Sequence, residues 1–369
     1  MMKNAVRGLV ILLVCCVLFT GCSNRNIIEP ETVDVSVDGQ VVAEAKRISL
    51  KNSGIKSLYE TKLFYMEMAE SRGFEYYVYD FETSKNKKVR TLRNVVVQDG
   101  WDALVGDRFY FSVHSGKREL YMLDLSEETI EKVLCTPYKG SWITEFNGQL
   151  FALCNRKSDN GTRETYIVSI ADNGEYEEIS LLNTGSAEEK ISPYILAMTN
   201  SGEYLCTVDK ETTNSGERFY FAKYNADFTL VQKTDITQLF REYGLNSASW
   251  FYVCGDWLYI CDASQNAVFC EVEEDDISVC LSGQDIAYIQ NFSEDTPNKI
   301  LLHRKWTNEL YVLDLNVGEL QSKTLGFEGD SYVITYALMN QDGLCVRTKP
   351  KDKTEGDTEY IYWIPLQAE

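Results

Sequence analysis

Short apolar runs recur along this chain at a spacing that few folds accommodate. "LFYMEM" at 63, "FYFSV" at 109, "LFALC" at 150, "YLCTV" at 204, "WLYIC" at 257, "ILLH" at 300 and "GLCVR" at 343 begin 41 to 54 residues apart. A polar or Gly-bearing turn follows each, then a second run: "YYVYDF", "LYMLDL", "TYIVSI", "FYFAKY", "AVFCEV", "LYVLDL" and "YIYWI". A weaker third run often comes next, as in "EKVL" and "ISVCL", and a further candidate strand precedes each copy, as in "SWITEFNG" and "SWFYVCGD". Four short strands per unit, joined by hairpins and repeated with a period in the forties, predict four-stranded sheets stacked radially.

The expected fold class is therefore all-β: a single β-propeller over residues 32–369 with seven four-stranded blades, six or eight being compatible with the same period. Runs such as "LYMLDL" and "RFYFSV" are apolar on both faces. Strands sandwiched between neighbouring sheets have that pattern, whereas half-exposed strands alternate. Sheet edges left open invite aggregation. The stretch "TVDVSVDG" at 32–39 is expected to close the ring as the outer strand of the last blade, with "VVAEAKRISLKNSG" leading into the first. One helix is expected in "TDITQLFREYG", with Asp235 as N-cap and Gly244 as its stop.

The Tyr-x-x-Asp phrase of the second runs ends at Asp80 ("YVYD"), Asp124 ("YMLD") and Asp314 ("YVLD"). Together with the apolar-aromatic strands and the period, it resembles the low-density-lipoprotein-receptor-type (YWTD-like) propellers of bacterial lipoproteins of unknown function. The resemblance spans almost all of the mature chain. It implies a fold rather than an activity, because blade motifs are structural, and the full Tyr-Trp-Thr-Asp motif is absent. The three aspartates are read as hairpin anchors that accept hydrogen bonds from the next turn.

The N-terminus carries a second resemblance. "MMKNAVRGLVILLVCCVLFTGC" has a basic start, an apolar run too short to span a bilayer, and small residues before a cysteine, which is the layout of an export signal. "LFTGC" resembles the lipobox of bacterial lipoproteins, with Phe19 where that family prefers leucine. The resemblance implies a signal peptide at 1–21 and diacylglycerol on Cys22, with palmitate-type acylation. Residues 22–31 then read as a polar tether, and the protein is placed on the extracytoplasmic side of a cell membrane. Two acyl chains suffice for stable anchoring.

Formal net charge is −20, or −22 once Lys3 and Arg7 leave with the signal. Such a surface repels phosphate backbones and anionic lipid headgroups, which argues against nucleic acid as a partner. The cysteines outside the N-terminal segment form no CxxC pair and mostly sit in apolar runs such as "LFALC" and "EYLCTV". They read as small buried hydrophobes, and with only two histidines, His114 and His303, no metal site is expected. No cofactor is expected either. The acidic run "EVEEDDIS" reads as a solvated turn.

Catalytic motifs are thin: no GxSxG is present, and no pair of acids is singled out. The positional pattern that remains is aromatic. Trp101, Trp142, Tyr194, Trp250 and Tyr332 occur where five units begin their first strand. In propellers that strand is innermost, so the five rings are expected either to form a ligand-binding platform or to pack between blades near the axis. Long polar loops such as "NRKSDNGTRE" and "DKETTNSGE" open on the same side. The function expected is a monomeric, membrane-anchored binding module for a glycan, a peptide or an envelope protein. The alternative is a carbohydrate-active hydrolase with paired carboxylates near the channel, and a third reading is a scaffold subunit.

Overall fold

The computed structural model describes residues 25–27, 29–50, 53–69, 73–105, 107–114, 118–136, 139–157, 163–171, 175–179, 194–213, 216–273, 276–288, 290–291, 299–314, 319–327, 332–351 and 359–365. Nearly all of the described secondary structure is β, and one six-residue helix accompanies it. The strands pair as antiparallel four-stranded meanders, as expected for a propeller. The first comprises Ser53–Tyr59, Lys62–Met68, Gly73–Asp80 and Lys85–Arg93. The second runs over 96–136, the third over 139–179, the fourth over 194–235 and the fifth over 250–284.

The last two meanders belong to one ten-stranded sheet. The sixth contributes Ile286–Tyr288, Lys299–Arg304, Glu309–Asp314 and Glu319–Phe327; the seventh contributes Tyr332–Met339, Gly343–Pro350 and Glu359–Pro365. Its outer strand comes from the far end of the chain, as expected, but from a different stretch. Gln40–Leu50 pairs directly with Glu359–Pro365, in the register Lys46↔Trp363 to Leu50↔Glu359. The strand Glu31–Val37, which contains most of "TVDVSVDG", lies one layer further out and pairs with Glu319–Phe327 on its other edge. Side-chain reach explains the exchange. Ile48 and Leu50 bury themselves in the layer against the first meander, while Val33 and Val35 bury themselves between the sixth and seventh. The two-residue turn Asp38–Gly39 has positive φ at both positions, the geometry that matches strand twist.

Hydrophobic layers connect the meanders in sequence order. Phe64, Tyr76 and Val78 of the first pack on Phe109, Phe111 and Leu123 of the second. Tyr110 and Leu120 meet Ala152, Tyr166 and Val168 of the third. One large cluster carries the series from Leu153 and Ile167 through Val208 and Phe221 to Phe251 and Val268. Tyr259 and Phe269 then meet Leu302 and Leu313, and Leu310 and Leu325 meet Val346 and Tyr362. The last layer returns to the start: Leu338, Ile361 and Trp363 pack on Leu63, Tyr79 and Phe81, with Trp363 stacked on Phe81 at 5.6 Å. Burying both faces of every sheet accounts for the missing apolar–polar alternation.

The repeated phrase has a local role. In "ELYMLDL" and "ELYVLDL" the Tyr121 and Tyr311 hydroxyls donate to Glu119 and Glu309, two residues back on the same face, and Tyr77 does so to Glu75. Asp80 and Asp124 accept hydrogen bonds from the following turn, Asp80 from the Glu82 amide and the Thr83 hydroxyl, Asp124 from the Glu127 amide and the Ser126 hydroxyl. At Asp80 burial acts upward and these bonds together outweigh it, and at Asp124 the bonds dominate, so both carboxyls lie below the usual range. The helix covers Thr237–Glu242 and its N-cap is Ile236 rather than Asp235, which stands one residue earlier and accepts from the Thr237 amide at 2.8 Å; Gly244 has φ +66°. Phe240 stacks on Phe219 at 4.0 Å and fastens it to the fourth meander.

Candidate ligand-binding face

Because each meander is antiparallel, the turn between its second and third strands returns to the side where its first strand begins. On that side, called the upper face below, a run of backbone hydrogen bonds joins the fifth, sixth and seventh meanders. The Asp285 amide donates to the Gln265 carbonyl at 3.0 Å, and the Lys305 amide to the Asp285 carbonyl at 2.7 Å. The Trp306 amide donates to the Ile334 carbonyl at 2.8 Å, and the Ile334 amide to the Thr307 carbonyl at 3.0 Å.

Three residues of this rim hold left-handed backbone: Gln265 at φ +66°, Asp285 at +62° and Trp306 at +64°. None is glycine, so each conformation costs of order 1 kcal/mol. A bulky side chain there is a genuine outlier. The rim over-determines it through the hydrogen bonds at both ends of the turn. The result is an indole 57% exposed on a rigid backbone.

Lys305, next in sequence to Trp306, links this turn to Trp250. The half-buried Trp250 ring carries the Lys305 ammonium 5.1 Å from the centroid, and the same ammonium donates to Gln265 Oε1 at 2.7 Å. The fully buried Asp262 carboxylate holds the neighbouring turn by accepting from the Ser264 and Asn266 amides at 2.8 and 2.9 Å. Tyr332 starts the strand that contains Ile334, two residues from the Trp306 anchor, and meets Tyr360 edge-on at 5.1 Å. Arg47 sits over Tyr360 at 4.8 Å.

The five aromatic positions therefore separate. Trp250 is linked to the Trp306 turn through Lys305, and Tyr332 stands two residues from Ile334 on the strand that anchors that turn. Trp142 is 8% exposed within the core, and its indole donates to the Leu196 carbonyl at 3.1 Å, tying the third meander to the fourth. Tyr194 is half-buried opposite Lys210. Trp101 sits in a strand irregularity between Val97 and Asp102, and its side chain is outside the described residues. Comparable bulges interrupt the first strands next to Lys56, Ser141, Leu196 and Thr335. Trp306 was missed because it stands in a turn rather than at a strand start. A tryptophan inside the turn "RKWTNE" was its signal. Residues 158–162 of the loop "NRKSDNGTRE" and Cys22 lie outside the described residues.

Other ionisable groups are buried within the sheets. Glu359 receives Arg347 and Lys349. His303 is wholly buried, and burial pushes it down to about 3, so it is neutral at physiological pH. Asp209, almost fully buried on the second strand of the fourth meander, is pushed up to about 6 by desolvation, against the opposing effects of Thr207 and Lys233. Among the described residues no group of three or more His, Cys, Asp or Glu converges as a metal site. Cys206, Cys261, Cys270 and Cys345 are buried free thiols, and burial raises all four.

No family model and no curated protein matches the chain. Solved structures of similar shape are β-propeller-like. The oligogalacturonate lyase from Vibrio parahaemolyticus is 11% identical, with a TM-score of 0.56, over 92% of this chain and 98% of that one. An oligogalacturonate lyase in complex with manganese gives 11%, 0.52, 92% and 99%. The acylaminoacyl peptidase of Pyrococcus horikoshii gives 11% and 0.51, over 86% of this chain and about half (52%) of its own. At such identities the likeness extends to the fold alone.

Proposed function

We propose that the chain is a seven-bladed propeller held on the outer side of a cell membrane by a lipid on Cys22, and that it binds a glycan or peptide ligand through its upper face. The hydrophobic layers support the ring, since each meander shares one with the next and the seventh shares one with the first. The observation that carries the binding role is Trp306: an exposed tryptophan held at φ +64° by hydrogen bonds to Ile334 and preceded by Lys305, whose ammonium lies over the Trp250 ring. Strained, exposed aromatic residues on rigid turns suit recognition, because a planar ring offers contact area at low ordering cost. Gln265, Asp285 and Lys305 add directional polar groups around it.

The test is a glycan array and a peptide array probed with the full chain and with the Trp306→Ala and Trp250→Ala variants. Binding lost in both variants with the fold retained supports the role; binding unchanged in both removes it. The alternative of an enzyme keeps one supporting observation, the desolvated Asp209 carboxyl poised near neutrality. Turnover of a carbohydrate substrate that disappears in Asp209→Asn would favour it.

A further inference from the structure

The outer strands of the second to sixth meanders are neutral or acidic: Thr129–Thr136 sets Glu131 against Lys132, Tyr176–Ile179 is acidic, and Ile277–Gln284 carries no charge. The first meander is the exception. Its strand Lys85–Arg93 reads "KNKKVRTLR", five cations without an acid in a chain of net charge −20. Lys87 and Lys88 are engaged by Glu128 and Glu75, and Arg90, though exposed, donates to the Ile130 carbonyl of the second meander; Lys85 and Arg93 are exposed.

A fifth strand, Arg25–Ile27, is added to this edge, with Arg25 opposite Lys87 and Ile27 opposite Lys85. The stretch read as a polar tether thus contains a docked strand. Only Ser23 and Asn24 separate Cys22 from Arg25, three residue steps that span about 10 Å when extended. The basic edge and the proposed lipid site are therefore neighbours.

We infer that this outer edge of the first meander docks against the anionic phospholipid headgroups of the membrane that holds the Cys22 lipid, so that the propeller stands edge-on with its upper face directed sideways. The inference rests on the proposed anchor. Headgroup charge attracts Lys and Arg within a Debye length of about 8–10 Å, and the short connection keeps the edge inside that range. The same field repels the acidic remainder of the surface, so charge sets an orientation as well as an attraction.

The experiment reconstitutes the mature, lipid-bearing protein into phosphatidylglycerol-containing vesicles and into pure phosphatidylcholine vesicles. A photo-reactive phenylalanine analogue replaces Lys85 or, as the control, the exposed Val231 on the outer strand of the fourth meander. Lipid adducts several-fold more abundant at 85 than at 231, dependent on phosphatidylglycerol and reduced by Arg90→Gln with Arg93→Gln, are the expected result. Equal adducts at both positions, or indifference to phosphatidylglycerol, overturn it. The anchor is scored separately by incorporation of a labelled acyl precursor, compared with Cys22→Ala. Acylated protein with equal adducts sinks the orientation alone; absence of acylation at Cys22 sinks both.

Discussion

The ammonium of Lys305 lies 5.1 Å from the ring centroid of Trp250 and donates to Gln265 at 2.7 Å, so one side chain of the sixth meander clamps both a strand start and a turn of the fifth. Replacing Lys305 by Ala removes a cation–π contact and a hydrogen bond, each of about 1 kcal/mol. Thermal unfolding is expected to move down by a few degrees, and the intrinsic fluorescence of Trp250 is expected to change with it.

Trp306→Gly separates stability from function. Glycine accepts φ +64° without strain, so the variant is expected to be more stable by about 1 kcal/mol while losing ligand. Urea midpoints and array binding measure the two effects. A less stable variant would mean that the indole packs rather than presents itself.

Asp209 makes stability depend on pH. Its folded value, about 6, lies above its ordinary value, so the native state binds the proton more tightly than the unfolded chain. That contribution is fully present below about pH 4 and is lost as pH rises through 6. Asp209→Asn is expected to raise stability at pH 8 by up to about 3 kcal/mol, with the gain fading by pH 4. Denaturant titrations at several pH values read it directly.

Gly343→Ala tests the closing layer. A Cβ at this position would come 2.4 Å from the Trp363 ring and 2.8 Å from the Ile364 carbonyl. Trp363 is stacked on Phe81 of the first meander, so the displacement propagates into the seam between the two ends of the structure. A loss of about 1–3 kcal/mol is expected by calorimetry.

Thiol reactivity should follow burial. Cys270 is pushed up to about 12 by burial, whereas Cys254 and Cys280 are half-buried. Alkylation of the folded protein at pH 8 followed by peptide mapping is expected to mark Cys254 and Cys280 before Cys206, Cys261, Cys270 and Cys345.

The four-strand period was legible in the residues themselves. Runs such as "LYMLDL" and "WLYIC" are apolar on both sides because each sheet has neighbours on both faces, and that pattern survives in one dimension. The turn role of Asp80 and Asp124 was legible for the same reason, since a carboxylate bonding amides two or three residues on is a local event. By contrast, choosing Gln40–Leu50 over residues 32–39 as the strand beside Glu359–Pro365 depended on which layer could accept Ile48 and Leu50. Both stretches read equally well as strands.

The candidate site was still less visible. Trp142 and Trp250 hold matching positions in their repeats, yet one indole is bonded to Leu196 inside the core and the other lies beside an exposed rim. Trp306 gains its importance from Ile334, a residue of the next meander. Local periodicity determined that the chain would form short, doubly buried strands in repeating hairpins, because hydrogen bonding and side-chain alternation act over a few residues. Which edges meet, and which aromatic rings stay exposed, was decided only by packing between distant segments, because burial is a property of the neighbour that arrives.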